Sequence, residues 1–416
     1  MASKYAPSLR LFLPPWTLLL EAAFILIFAF FIAYEAPANR SKDSLEPYSA
    51  FQDVNVMAVL GFGFLTASLC RFSWSGLAFN LFLVAVGVQW TVLLDGFLFR
   101  FSAGKLDISL RGLLVATMSV VSMLISAGAI LGQANLVQLL VMTLVEVTAF
   151  SATRWLSLEI LQVETHEFMM HVHIFGAYFG LTVAWFLWKP LPKEASGKAK
   201  AANTTGLFSM LGALFLWMFW PTFNSVLLDV REAKKAVFNT YYAIAASAVT
   251  AVALSAAAHS RGKINMFHVH NATLAGGVAV GPTAHLIESP ALAMVLGLLA
   301  GSISILGAGC LPACFNRVLK IHDTCGVHST FGLPGLLGGV AYIGFNLVEA
   351  SWTDFTKMGY RALLDAGSLS LAVAMSLATG VLTGLLLMLK IWKTPHVVKQ
   401  FDDQAFWEFP HLAVGF

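Results

Sequence analysis

Apolar residues in this chain do not recur at the spacing of a half-buried strand or a surface helix; they run on without interruption. Runs of roughly 20 residues alternate with short polar segments, and each run is long enough to cross about 30 Å of hydrocarbon as a helix. Twelve spans are predicted, at 13–34, 55–74, 77–98, 109–131, 134–153, 168–188, 206–227, 237–258, 265–285, 289–309, 325–348 and 366–392. The longest polar stretches are 35–54, 189–205, 228–236 and a tail at 393–416. The expected fold is all-α and integral to the membrane, one transmembrane domain over 1–416 with no soluble domain. The first run is too long for a signal-peptide core and lacks a small-residue cleavage site, so it is read as the first span. Gly332, Gly335, Gly338 and Gly339, with Pro334, load the eleventh span with residues that favour close backbone packing or a break.

Composition agrees with the pattern. Of 416 residues 58% are hydrophobic and 11% charged, with a mean hydropathy of +0.76, whereas soluble domains carry about 25% charged residues. The net charge of +3 comes without a basic block, so nucleic acid is not an expected partner. Cys70, Cys310, Cys314 and Cys325 form no C-x-x-C pair, which leaves neither a disulfide framework nor a metal site to expect. Without a phosphate loop or a nucleophile elbow, no enzyme activity and no cofactor are indicated. Lys189, Lys193, Lys198 and Lys200 crowd one short loop, which favours a cytoplasmic side there and both termini inside. That layout puts the Asn39-Arg40-Ser41 sequon outside, as a glycosylation candidate, and Cys310 at an inner membrane edge, as a palmitoylation candidate or a plain thiol. The tail "FDDQAFWEFPHLAVGF" mixes aromatics with acids, and lying on the membrane, docking a partner and disorder all remain open.

Chemistry concentrates in two histidines. His173, in "MHVHIFGAYFG", falls in the sixth span, and His328, in "CGVHSTFGLPG", falls in the eleventh. An ionisable group at bilayer depth usually faces a cavity or pathway. The two sit five spans apart, so a repeated five-span unit (spans two to six, then seven to eleven) must be inverted, with the histidines meeting at its interface. Two touching imidazoles could share a proton and line a narrow apolar conduit for a small neutral polar molecule; the plainer alternative is a helix-to-helix hydrogen bond. His166, His171, His268 and His270 are assigned structural or interfacial roles. Asp323 heads the eleventh span as a helix cap or as part of an inner mouth, with capping favoured. Glu146 needs a buried partner that the sequence does not identify, and Phe223 beside Pro221 could pack or plug.

At these residues the chain resembles the Rh and ammonium transporter superfamily over essentially its full length. The segments "HIFGAYFGLTVAW", "LGALFLWMFWPTFNS", "VFNTYYA", "LAGGVAVG" and "HDTCGVHSTFGLPGLLGG" are similar to the Rh branch, and the ending "KIWKTP…FDDQAFWEFPHLAVGF" to its erythroid blood-group members. The resemblance implies the ammonium transporter fold and a trimer, homomeric or heteromeric, with one pore per subunit for neutral ammonia, carbon dioxide being a second candidate. It also implies assembly with Rh-associated glycoprotein and attachment to ankyrin and the membrane skeleton at the erythroid plasma membrane. By position, His173 and His328 match paired pore histidines, Phe223 an inner gate phenylalanine, and Asp323 a retained aspartate. Three positions depart: Met118 replaces the other gate phenylalanine, Arg154 an outer-vestibule glutamate, and Thr165 a buried aspartate. The departures leave two readings, a subunit that passes ammonia weakly and a transport-inactive structural subunit.

Overall fold

A computed structural model describes residues 7–34, 46–99, 105–190, 197, 203–349, 355–394 and 397–408. Eleven helices in it are long and apolar enough to cross a membrane: α1 Leu13–Phe31, α2 Tyr48–Ser68, α3 Ser73–Phe99, α4 Leu110–Ile130, α5 Leu136–Ile160, α6 Thr165–Leu187, α7 Thr205–Ser225, α8 Val230–Ala258, α10 Pro290–Pro312, α11 His328–Val348 and α12 Gly359–Leu387. The ninth predicted span is α9, Met266–Val280, only 15 residues long. At about 1.5 Å per residue it reaches roughly 22 Å, short of the hydrocarbon thickness. It can be short because it is buried among its neighbours and meets little lipid; every residue from His270 to Val280 is buried. Asn39 lies outside the described residues.

Local sequence sets the helix ends. Ser109 accepts a hydrogen bond from Gly112 N at the start of α4. Asn135 and Gln138 cap α5 reciprocally, each side chain bonded to the other's backbone. Their amides also donate to the Trp392 and Leu387 carbonyls, so the same two residues tie α5 to the end of α12. Two short strands, β1 Ile32–Tyr34 and β2 Leu106–Ile108, pair in parallel beyond the ends of α1 and α3. Hydropathy gives no sign of so small a sheet.

Spans two to six and seven to eleven form the two halves of the inverted repeat, and glycine sets how closely each half packs. A Cβ on Gly180 of α6 would lie 2.6 Å from Ser126 Cα of α4. A Cβ on Gly338 of α11 would lie 2.5 Å from the Ala279 carbonyl oxygen of α9. Both gaps exclude any side chain, so the backbones approach as small residues allow in membrane bundles.

The described part of the tail, 397–408, does something that none of its three expected readings named: it folds back onto its own chain. Asp403 accepts from Trp74 N, Ser75 N and Ser75 Oγ, capping α3 from more than 300 residues away in the chain. Phe401 is fully buried, Phe406 packs edge-on against Phe72 and Phe79, and Trp407 Nε1 donates to Ser75 Oγ.

Candidate functional site

His173 sits on α6 and is 1% exposed. Its Nδ1–H donates to the Met169 carbonyl one turn back, at 3.1 Å. A carbonyl only accepts, so the proton is on Nδ1 and Nε2 keeps a lone pair. That Nε2 is buried without a hydrogen-bond partner among the described residues. Phe331 of α11 lies parallel to the imidazole, with centroids 6.1 Å apart and planes within 2°. Trp220 of α7 stacks on it at 5.7 Å and 14°, and Phe223 closes in at 6.0 Å, tilted. Phe62 of α2 extends the series by stacking on Phe331 at 5.9 Å. Exchanging the two halves of the repeat swaps α2 with α7 and α6 with α11. The four-ring series respects that exchange except in chemistry: its inner pair is one imidazole and one phenyl.

The expectation that His328 would touch His173 is corrected by this geometry. The His328 ring meets Phe315 at 4.9 Å and Tyr178 at 5.9 Å, and its Nδ1 has no hydrogen-bond partner among the described residues. Register explains the difference. Gly180 follows His173 by seven residues, and Gly338, which makes the corresponding close contact, follows Phe331 by seven. The similar H…F-G wording around His173 and His328 is out of step with the packing, and a π turn over His328–Gly332 begins α11 at that point.

The other expected residues fall into place as follows. Met118 is fully buried in the same apolar cluster as Phe223 and Phe331. Arg154 and Thr165 both line a cavity of ≈ 190 Å³, shared with Asp95, Phe168 and His171. Arg154 does not present a bare repulsive charge there. Its guanidinium pairs with Asp95 at 2.9 Å, donates to Ser119 Oγ, and lies 5.2 Å over the Phe168 ring. Glu164, the neighbour of Thr165, is engaged by Arg361 at 2.9 Å. Asp323 is a cap, as favoured: its two carboxylate oxygens accept from Val327 N and His328 N, each at 2.9 Å. Burial pushes that carboxyl up to about 6, against the pull of the backbone donors.

Glu146 finds its partners in Ser126 and Ser122 of α4, and Ser126 in turn donates to the Gly176 carbonyl of α6. His166 donates to the Gly281 carbonyl and His171 bonds Ser368 Oγ, the tying roles expected of them. Cys310 and Cys314 are exposed free thiols. The residues that sequence reasoning missed are Phe331, Trp220 and Asp95. Asp95 carried a usable signal, since a carboxylate inside an apolar span needs a partner; Phe331 carried none, because its seven-residue spacing to Gly338 is matched by that of His328 to Gly335.

What this site can do is limited by its donors and acceptors. It offers one acceptor, the lone pair on His173 Nε2, and one donor, the Trp220 Nε1–H that has no partner among the described residues, inside a sleeve of aromatic rings. A small neutral hydrogen-bond donor could be accepted there. The adjoining Phe331 ring supplies no second polar station.

Comparison with known proteins agrees with the fold and the motifs. The sequence model of the Ammonium Transporter Family matches residues 16–404. An RH-like protein of Macaca mulatta is 58% identical over 417 residues, covering 100% of both chains. The human blood group Rh(CE) polypeptide is 55% identical over the same extent. Among solved structures, Nitrosomonas europaea Rh50, described as one of the Rhesus protein family of channels, superposes with a TM-score of 0.77 at 30% identity, covering 88% of this chain and 92% of that one. Saccharomyces cerevisiae Mep2, at 18% identity and a TM-score of 0.67 over 84% and 86% of the chains, shares the fold. The chain belongs to the ammonium transporter family, in the company of its Rh polypeptides.

Proposed function

We propose that this chain is a structural subunit of an Rh membrane complex that keeps the channel architecture without a working ammonia route of its own. The observation that carries the reading is Phe331 lying flat against His173, where a second polar group is needed. Ammonia leaving water for this sleeve finds one acceptor, His173 Nε2, and one donor, Trp220 Nε1–H, which leaves two of its N–H groups unmatched. A polar group left unmatched costs roughly 2–7 kcal/mol, so even the lower figure slows passage by about thirtyfold. Recruitment is weakened as well: Arg154 is committed to Asp95, and Thr165 contributes no charge at the outer cavity.

In this reading His173, Phe331, Phe223 and Met118 fill a closed passage, and Asp323 positions the start of α11. The complex is a trimer completed by Rh-associated glycoprotein and linked through ankyrin to the skeleton of the erythroid plasma membrane, with both termini cytoplasmic. Likeness of the chain's ending to the erythroid polypeptides supports that assignment. The second reading, weak passage of neutral ammonia or carbon dioxide, has one observation in its favour: the free Nε2 of His173 is retained.

Stopped-flow ammonia uptake into proteoliposomes decides between them. The structural reading expects uptake equal to that of protein-free vesicles and unchanged by His173→Ala. Uptake above that level and abolished by His173→Ala overturns it in favour of the second.

A further inference from the structure

A second cavity, of ≈ 270 Å³, lies where the tail folds back, at the end of the bundle that holds the start of α11. Trp188, Lys189, Asn316, His322 and Phe401 line it. Two cationic groups approach it from separate elements: Lys189, just past α6, in its lining, and Lys320, past α10, beside its Trp188 wall; His322, ahead of α11, lines it as an imidazole that burial holds towards its neutral form. Lys320 Nζ lies 5.8 Å over the Trp188 ring. Neither lysine pairs with a carboxylate among the described residues. The nearby Asp323 has both oxygens committed to the backbone of α11.

The neutral groups around the cavity are already occupied. Gln133 Nε2 donates to the His322 carbonyl, Gln400 Nε2 to the Gln133 carbonyl, and Asn316 Nδ2 to the Pro312 carbonyl. His322 Nδ1 bonds Asn316 Oδ1, while its Nε2 is buried with no partner among the described residues. The charged donors without a carboxylate partner are therefore the Lys189 ammonium and, over the Trp188 face, that of Lys320. Backbone strain gathers at the same place. Lys320 and Phe401 hold φ of 54° and 56°, a left-handed conformation that side-chain-bearing residues avoid and that collects at functional sites.

We propose that this cavity holds the phosphate-monoester headgroup of an anionic membrane lipid of the phosphorylated-inositol kind. Compact, unpaired ammonium groups suit a phosphate. The volume is just under the about 300 Å³ at which pockets for whole small molecules begin, so it suits a headgroup whose tails stay in the bilayer. Trp188 closes an apolar span, the position where aromatic residues mark the membrane–water boundary. A soluble phosphate would have no use for that placement. Basic pockets between spans on the cytoplasmic side are where such headgroups bind. The inference thus rests on the termini-inside orientation of the proposed function.

The test uses the full chain in nanodiscs, which expose both leaflets, so sidedness does not enter the readout. Lipid retention is measured by native mass spectrometry in phosphatidylcholine alone, with added phosphatidylserine, or with added phosphatidylinositol bisphosphate. The bisphosphate lipid is expected to be retained over phosphatidylserine. Lys189→Gln with Lys320→Gln is expected to weaken it about thirtyfold, from two lost charge contacts, with elution of the protein unchanged. Lys234→Gln, at the other end of the bundle, should leave retention as it was. No preference over phosphatidylserine, or equal retention by the double variant, overturns the proposal. Soluble inositol trisphosphate binding as tightly as the lipid overturns the membrane source. Protease protection of the tail reads orientation separately, and ammonia uptake reads the closed passage, so each can fail by itself.

Discussion

α6 and α11 hold matching places in the two halves of the repeat, and each carries a ring seven residues ahead of a glycine pressed on a neighbouring backbone. The glycine contacts are equally tight, 2.6 Å at Gly180 and 2.5 Å at Gly338. The rings differ: His173 keeps a free nitrogen and Phe331 has none. Backbone approach and passage chemistry are thus set by different residues on the same helix. A chain can lose the second while the first still dictates the fold, because replacing an imidazole by a phenyl keeps a flat ring in a packed apolar site.

The largest break in that comparison should come at the glycines. Gly180→Leu and Gly338→Leu are each expected to cost more than about 4 kcal/mol, since neither contact leaves room for a Cβ. Loss of the monodisperse peak in detergent gel filtration checks this, and the two halves should suffer alike. Next comes Phe331→Ala, which empties a site between Phe62 and His173 at about 3–5 kcal/mol, seen as a drop in thermal unfolding temperature. His173→Phe should cost far less, about 1 kcal/mol or under, because it loses one local hydrogen bond and a nitrogen that was never paired. That pair of results separates the two properties: a ring is needed for packing and the imidazole nitrogen is not.

Smaller effects test the regions around the passage. Arg154→Ala should destabilise by roughly 3 kcal/mol because it strands Asp95 in a largely buried place; Arg154→Ala with Asp95→Ala should recover much of that loss. Asp403→Ala removes the cap of α3 and should cost about 1 kcal/mol, with faster proteolysis of the tail as the readout.

Hydropathy made the order and number of spans legible, because a bilayer demands long apolar helices and little else competes with that signal. It misplaced their ends where helices continue into polar sequence. α2 begins by residue 48 rather than 55, and α8 begins at Val230 rather than 237, through the charged stretch "VREAKKA". Length arguments also overextended α9, whose burial frees it from spanning lipid alone. The pairing of β1 with β2 and the docking of the tail depend on contacts between distant segments, which periodicity cannot carry.

Within the site, His173 was legible because a histidine in an apolar run is costly and therefore conspicuous. Phe331 was not, since one more phenylalanine in a chain with 33 of them looks like packing. His328 drew attention by its type and its F-G neighbour, and it too has a glycine seven residues on, so only the contacts separate the two rings: Gly338 presses on the Ala279 backbone, Gly335 on the Ile174 side chain. The pairing of Arg154 with Asp95 is not legible in the sequence, because the two lie 59 residues apart along the chain.

The identity of the ring facing His173 can be measured by paired cysteines in a background with Cys70, Cys310, Cys314 and Cys325 replaced by serine. His173→Cys with Phe331→Cys is compared with His173→Cys with His328→Cys, using a short membrane-permeant thiol cross-linker and mobility on a denaturing gel after proteolysis between α6 and α11. The 173/331 pair is expected to join the two fragments and the 173/328 pair to leave them separate. Joining through 173/328 with none through 173/331 would contradict that geometry.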